Sequence, residues 1–114
     1  MTFPPELQKI VKLLPQLKFV ERDGHWSGSA KINEKRVTDQ RKLDRSWDHV
    51  NKLLSNAPWS TAERTRDGWD GQNDTGGNFN ALKRKFVHET TNLNVQLSVT
   101  YSYQSGTKYW SLTA

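Results

Sequence analysis

From Val95 to Tyr103 the chain alternates without a break: Val95, Leu97, Val99, Tyr101 and Tyr103 against Gln96, Ser98, Thr100 and Ser102. Successive side chains of a strand point to opposite faces, so this pattern belongs to a strand with one buried and one solvated face. Ser105-Gly106 marks a turn, and Trp110 and Leu112 resume the apolar positions on the return. The spacing predicts a hairpin from Val95 to Leu112, with Trp110 opposite Tyr101 and Leu112 opposite Val99 on one face. Lys108 is expected beside Tyr103 at the tip, and Tyr109 on the polar face.

A half-buried hairpin needs a covering layer, and the first half of the chain offers one. Pro4 and Pro5 suit the first turn of a helix, and Leu7, Ile10, Val11 and Leu14 follow at helical spacing until Pro15. Asp23-Gly24 separates Lys18–Arg22 from His25–Ile32, which reads as a second hairpin because a type I′ turn needs positive φ at both central residues. In that register Phe19 faces Gly28, whose missing side chain leaves room for an aromatic ring, and Glu21 faces Trp26. Leu43, Trp47, Val50 and Leu54 then form a helical stripe, with Thr38 or Asp39 as its cap and Asn56-Ala57-Pro58 as its stop.

Phe79, Leu82 and Phe86 also fall at helical spacing, so residues 78–89 are expected as a third helix that frays through Thr90, Thr91 and Asn92. Between the second and third helices, 59–77 reads as an irregular loop rich in glycine and aspartate, with Trp59 and Trp69 plugging the core beneath it. The expected class is α+β: a single domain over 1–114 with three helices and two β-hairpins, in the order α-ββ-α-loop-α-ββ. In element order alone the C-terminal half is winged-helix-like.

Only 33% of residues are apolar, but they include five tryptophans and four phenylalanines, and each aromatic buries a large area. Cysteine is absent, which excludes a disulfide framework and thiolate metal sites. Met1–Glu6 lacks a basic segment followed by an apolar run, so no signal peptide is expected, and no stretch is long enough to span a membrane. The expected setting is the cytoplasm.

Lysine and arginine outnumber aspartate and glutamate 17 to 12, a formal net charge of +5. Such a domain is drawn to polyanions. The expected contact surface is the third helix with the second hairpin as a wing. Lys83, Arg84, Lys85 and Lys108 would neutralise phosphates, while Asn78 and Asn80 would reach base edges. DNA is favoured over RNA as partner, in a regulatory or accessory role. A second basic run, Lys31, Lys35, Arg36, Arg41, Lys42 and Arg45, is interleaved with Glu34, Asp39 and Asp44, which weakens its field.

Two alternatives remain from other classes. A metal-independent ribonuclease needs a base, an acid and a cation, and His88-Glu89 near Lys83 and Arg84 is the one pair that fits. A protein-binding inhibitor or adaptor would turn the same charge on an acidic partner. Neither cofactor nor metal is expected. In calcium-loop register from Asp70, Thr75 stands where glycine is required and Ala81 where glutamate is required. Gly76-Gly77 lacks the flanking pattern of a phosphate loop. Oligomeric state is left open by the sequence.

Overall fold

In the computed structural model, which describes residues 4–61, 66–72 and 78–114, the helix opened by the proline pair, α1, runs Pro5–Leu13. It buries Leu7 and Ile10, and Leu14 just beyond its end. The first hairpin follows as strands β1 (Lys18–Arg22) and β2 (His25–Ile32). Asp23 and Gly24 take φ of 52° and 79°, the left-handed pair that the turn demands. Phe19 lies opposite Gly28 and Glu21 opposite Trp26, as the sequence predicts. The Phe19 ring fills the glycine's vacant side-chain space so closely that a Cβ there would stand 2.5 Å from its Cε1.

Asn33 caps a short 3₁₀ turn, Glu34–Arg36, by accepting from the Lys35 N–H at 3.0 Å. The turn leads directly into helix α2, Val37–Leu54. Neither Thr38 nor Asp39 is therefore the cap, and Asp39 instead pairs with Arg36 at 2.8 Å. Leu43, Trp47, Val50 and Leu54 are buried along α2, the stripe read from their spacing. Gln40 is buried with them, and its amide donates to the carbonyls of Ile32 (2.8 Å) and Gly106 (3.0 Å).

The second half departs from expectation. Residues 78–88 form a strand, so the described residues hold two α-helices, not three. The strands are β3 (Trp59–Thr61), β4 (Arg66–Gln72), β5 (Asn78–His88), β6 (Asn94–Ser102) and β7 (Lys108–Thr113). The stretch expected as irregular from 59 to 77 thus contains β3 and β4, while Asp74, Gly76 and Gly77 lie outside the described residues. All seven strands join one antiparallel sheet in the order β1-β2-β7-β6-β5, with β3 and β4 both pairing β5 at its outer edge. That sheet replaces the two separate hairpins, and the winged-helix-like arrangement is absent.

The expected fraying of a third helix is a hairpin turn instead. The His88 N–H donates to the Leu93 carbonyl at 2.9 Å, the Asn92 N–H to the His88 carbonyl at 2.8 Å, and Asn92 has φ of 60°. Asparagine tolerates that region better than most residues. The final hairpin forms, but Leu97 pairs Leu112, Val99 pairs Trp110 and Tyr101 pairs Lys108. That is two residues from the expected register. A slip of two keeps every side chain on its face. The connection is longer than a Ser105-Gly106 turn, since the Ser102 N–H donates to the Thr107 carbonyl at 2.9 Å.

One core holds the two layers together. Leu7, Ile10 and Leu14 of the α1 region and the stripe of α2 pack with Trp26, Ile32, Phe86, Val95, Leu97, Trp110 and Leu112. The pairing places these sheet residues on a single face, so both helices cover the same side. Among the described residues, no helix is long and apolar enough to cross a membrane.

Candidate functional site

A strand deals consecutive residues to opposite faces, and this divides the Lys83-Arg84-Lys85 run. Lys83 pairs Ser98 and Lys85 pairs Gln96, on the face away from the helices. Arg84 pairs Leu97, on the helix side between Leu82 and Phe86. Asn80 also falls on the helix side, opposite Tyr101, where it lines a hollow of about 510 Å³ with Asp44, Trp47 and Asp48. Asn78 begins β5 and pairs Gln72. Lys108 too is on the helix side: its ammonium lies 2.8 Å from the Asp44 carboxylate, which also accepts from the Trp110 indole N–H at 3.3 Å. The six residues singled out for nucleic acid are therefore not one surface.

His88 ends β5 and Glu89 follows it in the turn. The His88 ring meets Trp59 edge-on with centroids 4.9 Å apart, and its Nδ1 accepts from the N–H groups of Thr90 and Thr91 at 3.3 Å each. These contacts tie the imidazole into the turn after β5. Glu89 is exposed, and its N–H donates to the Pro58 carbonyl at 2.8 Å. Trp59 itself is buried, as a core plug should be. Among the described residues, no cluster of three histidines and acids could hold a metal ion.

The helix-free face has a coherent chemistry of its own. One row across the sheet reads Val20, Ser27, Thr113, Gln96, Lys85, one residue from each of β1, β2, β7, β6 and β5. The next reads Lys18, Ser29, Ser111, Ser98, Lys83. A third holds Lys31, Tyr109, Thr100 and Ala81. Hydroxyls occupy the middle strands and cations the flanks. The described side chains of this face include Lys18, Arg22, Lys31, Lys83 and Lys85 but no aspartate or glutamate. In number these five described cations equal the chain's formal net charge of +5.

Two large apolar side chains are also displayed here, Val20 (57% exposed) and Tyr109 (41%). At the β1–β2 margin the basic character continues around the sheet edge. There a hollow of about 550 Å³ is lined by Lys18, Lys31, Arg36 and Lys42 with Asp39 the lone acid. Of this face, only Lys83 and Lys85 were among the residues expected to bind. The missed signal was in the sequence: the polar positions of β2, β6 and β7, read together, contain no acid.

No protein-family model, curated protein or solved structure matches this chain.

Proposed function

We propose that this protein binds single-stranded nucleic acid across the helix-free face of its sheet. The observation that carries the reading is the sorting of charge: five cations and no described acid on one hydroxyl-floored face of a chain whose net charge is +5. Lysine and arginine neutralise phosphates and release counterions, and this term supplies most of non-specific affinity. Tyr109 offers a ring on which an unpaired base can stack, and every base has a π-face to offer.

Geometry favours a single strand over the duplex expected from the sequence. The major groove is about 12 Å wide and admits one helix or a two-stranded ribbon. This sheet is six strand positions across, about 24 Å at ~4.8 Å per strand. The basic segment expected to enter the groove as a helix is a strand within this sheet, and a flexible single strand can lie over it. A cytoplasmic setting belongs to the same proposal.

The test is fluorescence anisotropy with labelled single-stranded RNA, single-stranded DNA and duplex DNA, with polyglutamate as an acidic-polypeptide arm. Each RNA sample is also checked for cleavage. The single strands should bind more tightly than the duplex and far more tightly than polyglutamate. Equal affinity for polyglutamate would transfer the face to an acidic protein partner. No binding to any nucleic acid at ~50 mM salt, where phosphate contacts are strong, would overturn the proposal.

A further inference from the structure

Strand β1 is shorter than its partner, and the difference leaves part of the sheet edge open. β1 begins at Lys18, opposite Ser29, whereas β2 runs on to Ile32. Trp26 exchanges both backbone bonds with Ala114, at 2.9 and 2.8 Å, so its N–H and C=O face β7. Successive residues of a strand turn these groups to opposite sides, which points those of Lys31 towards β1. In the β1 register the residue opposite Lys31 would be Gln16, which lies in the turn before the strand. No backbone hydrogen bond joins these two described residues. The Lys31 N–H is therefore turned to an edge where the ladder has ended.

The hollow of about 550 Å³ at the β1–β2 margin opens at this edge, between Gln16 and the start of α2. Lys18, Ser29 and Lys31 reach it from the helix-free face, and Arg36, Asp39 and Lys42 from α2 and the turn before it. Arg36 and Asp39 pair at 2.8 Å and cancel. That leaves the three lysines, all exposed and without an acid partner among the described residues.

We infer that this notch binds the dianion of a phosphomonoester, with Lys18, Lys31 and Lys42 around its oxygens and the Ser29 hydroxyl and Lys31 N–H as further donors. A strand on the adjoining face brings such a group as its terminal phosphate, and a free nucleotide carries the same group. For the strand, the inference rests on the nucleic-acid reading of the face.

Charge selects the ligand. A phosphodiester or a carboxylate brings a single negative charge to three unpaired lysines. A phosphomonoester brings about −1.5 to −2 near pH 7, with three strong acceptor oxygens. Lysine suits it, as a compact charge on a flexible stem that can bend to the edge from either layer. Position agrees with charge. Lys31 and Tyr109 are cross-strand neighbours, and because Lys31 turns its backbone away from β7 they form the closer, non-hydrogen-bonded kind of pair, with Cα atoms ~4.5 Å apart. Tyr109 is exposed on the same face, so a terminal base stacked on its ring sets its phosphate within reach of Lys31.

The probes are one oligonucleotide sequence with hydroxyl ends, with a 5′-phosphate, with a 3′-phosphate, and with each phosphate capped as its methyl ester. All are titrated against the full chain by fluorescence anisotropy. A nucleoside monophosphate and its nucleoside are titrated by calorimetry. We expect a terminal phosphate, at one end or the other, to strengthen binding about tenfold or more, the worth of one charge-assisted hydrogen bond. The methyl cap removes one charge and should remove most of the gain. Lys42→Ala should abolish it. Lys42 is exposed on α2, outside the five cations of the face, so this variant should keep near wild-type affinity for the hydroxyl-ended strand. Lys83→Ala, outside the notch, should weaken every strand alike. The monophosphate should bind the wild type and not Lys42→Ala, and the nucleoside should bind neither.

A gain that survives the cap or Lys42→Ala in full refutes the notch. So does the absence of any gain together with no binding of the monophosphate. In both cases a hydroxyl-ended strand that still binds leaves the face reading standing. If a terminal phosphate gives no gain but the monophosphate binds through Lys42, the notch holds with the free nucleotide as its source. Binding of the monophosphate with no strand bound at all would overturn the face and keep the notch.

Discussion

Lys83→Ala and Lys108→Ala remove the same charge from the chain, and the structure predicts opposite results for them. If all five cations of the helix-free face meet phosphates, a single strand gives log K against log salt a slope of about −3.5, at ~0.7 per contact. Affinity then falls about a hundredfold between ~50 and ~200 mM salt. Removing Lys83 should bring the slope to about −2.8 and the fall to about fiftyfold. Lys108 is on the other layer, with its ammonium 2.8 Å from Asp44 and 5.5 Å from the centroid of the Trp110 ring. Its removal should leave the slope unchanged, because at ~0.1 M salt charges more than about 10 Å apart are largely screened. Anisotropy titrations at four salt concentrations measure both slopes. Equal slopes for the two variants would mean that total charge attracts the ligand, and the face argument would fail.

The remaining predictions concern what holds the sheet in shape, and urea or thermal unfolding reads each of them. Asp44→Ala leaves the indole N–H of fully buried Trp110 without its acceptor, which costs about 1–3 kcal/mol. Lys108 is partly exposed, so loss of the ion pair adds at most ~1 kcal/mol. Asp44→Asn keeps an acceptor and should recover most of the loss, and equal destabilisation by the two would refute the indole argument. Gly28→Ala forces the Phe19 ring aside and should cost about 1–3 kcal/mol, or about 4 °C in Tm per kcal/mol. In the Phe19→Ala background the same change should cost much less. Gln40→Leu strips the carbonyls of Ile32 and Gly106 of their shared donor, so a loss of about 1–3 kcal/mol is expected for each that stays unpaired. A melting point equal to wild type would show that water replaces the amide.

The first half of the chain was legible because each signal there has one reading. Asp23-Gly24 fits a tight turn between strands, and Leu43, Trp47, Val50 and Leu54 fit only a helical period. Residues 78–88 were misread because a separation of four suits both periods. Leu82 and Phe86 share a face in a helix and in a strand alike, and Phe79, three before Leu82, tipped the reading to helix. Alanine, leucine, lysine and arginine at 81–85 added helix propensity. Tertiary pairing outweighed it: β6 is paired with β7 on one side, and β5 satisfies nine of its residues on the other. Thr90 to Asn92 looked like a fraying end because its turn depends on one left-handed asparagine, a weaker signal than a glycine. The final hairpin's alternation fixed its faces but not its register, since register follows from loop geometry.

The same error explains why the candidate site was half right. On a helix, Lys83 and Arg84 would point about 100° apart and share one broad exposed side, so the run would act as a unit. On a strand, Lys83 and Lys85 stand about 7 Å apart on one face, while Arg84 turns inward opposite Leu97. Period two therefore sorts charge more sharply than a helix does. It sends Glu21 to the helix side while Lys18 and Arg22 stay on the other. Asp39, Asp44 and Asp48 lie on α2, in the other layer. A chain with a modest net charge thus gathers five described cations and no described acid on one face, and no local cluster in the sequence announces that face. It emerges only when polar positions from five strands, 18 to 113, are brought side by side.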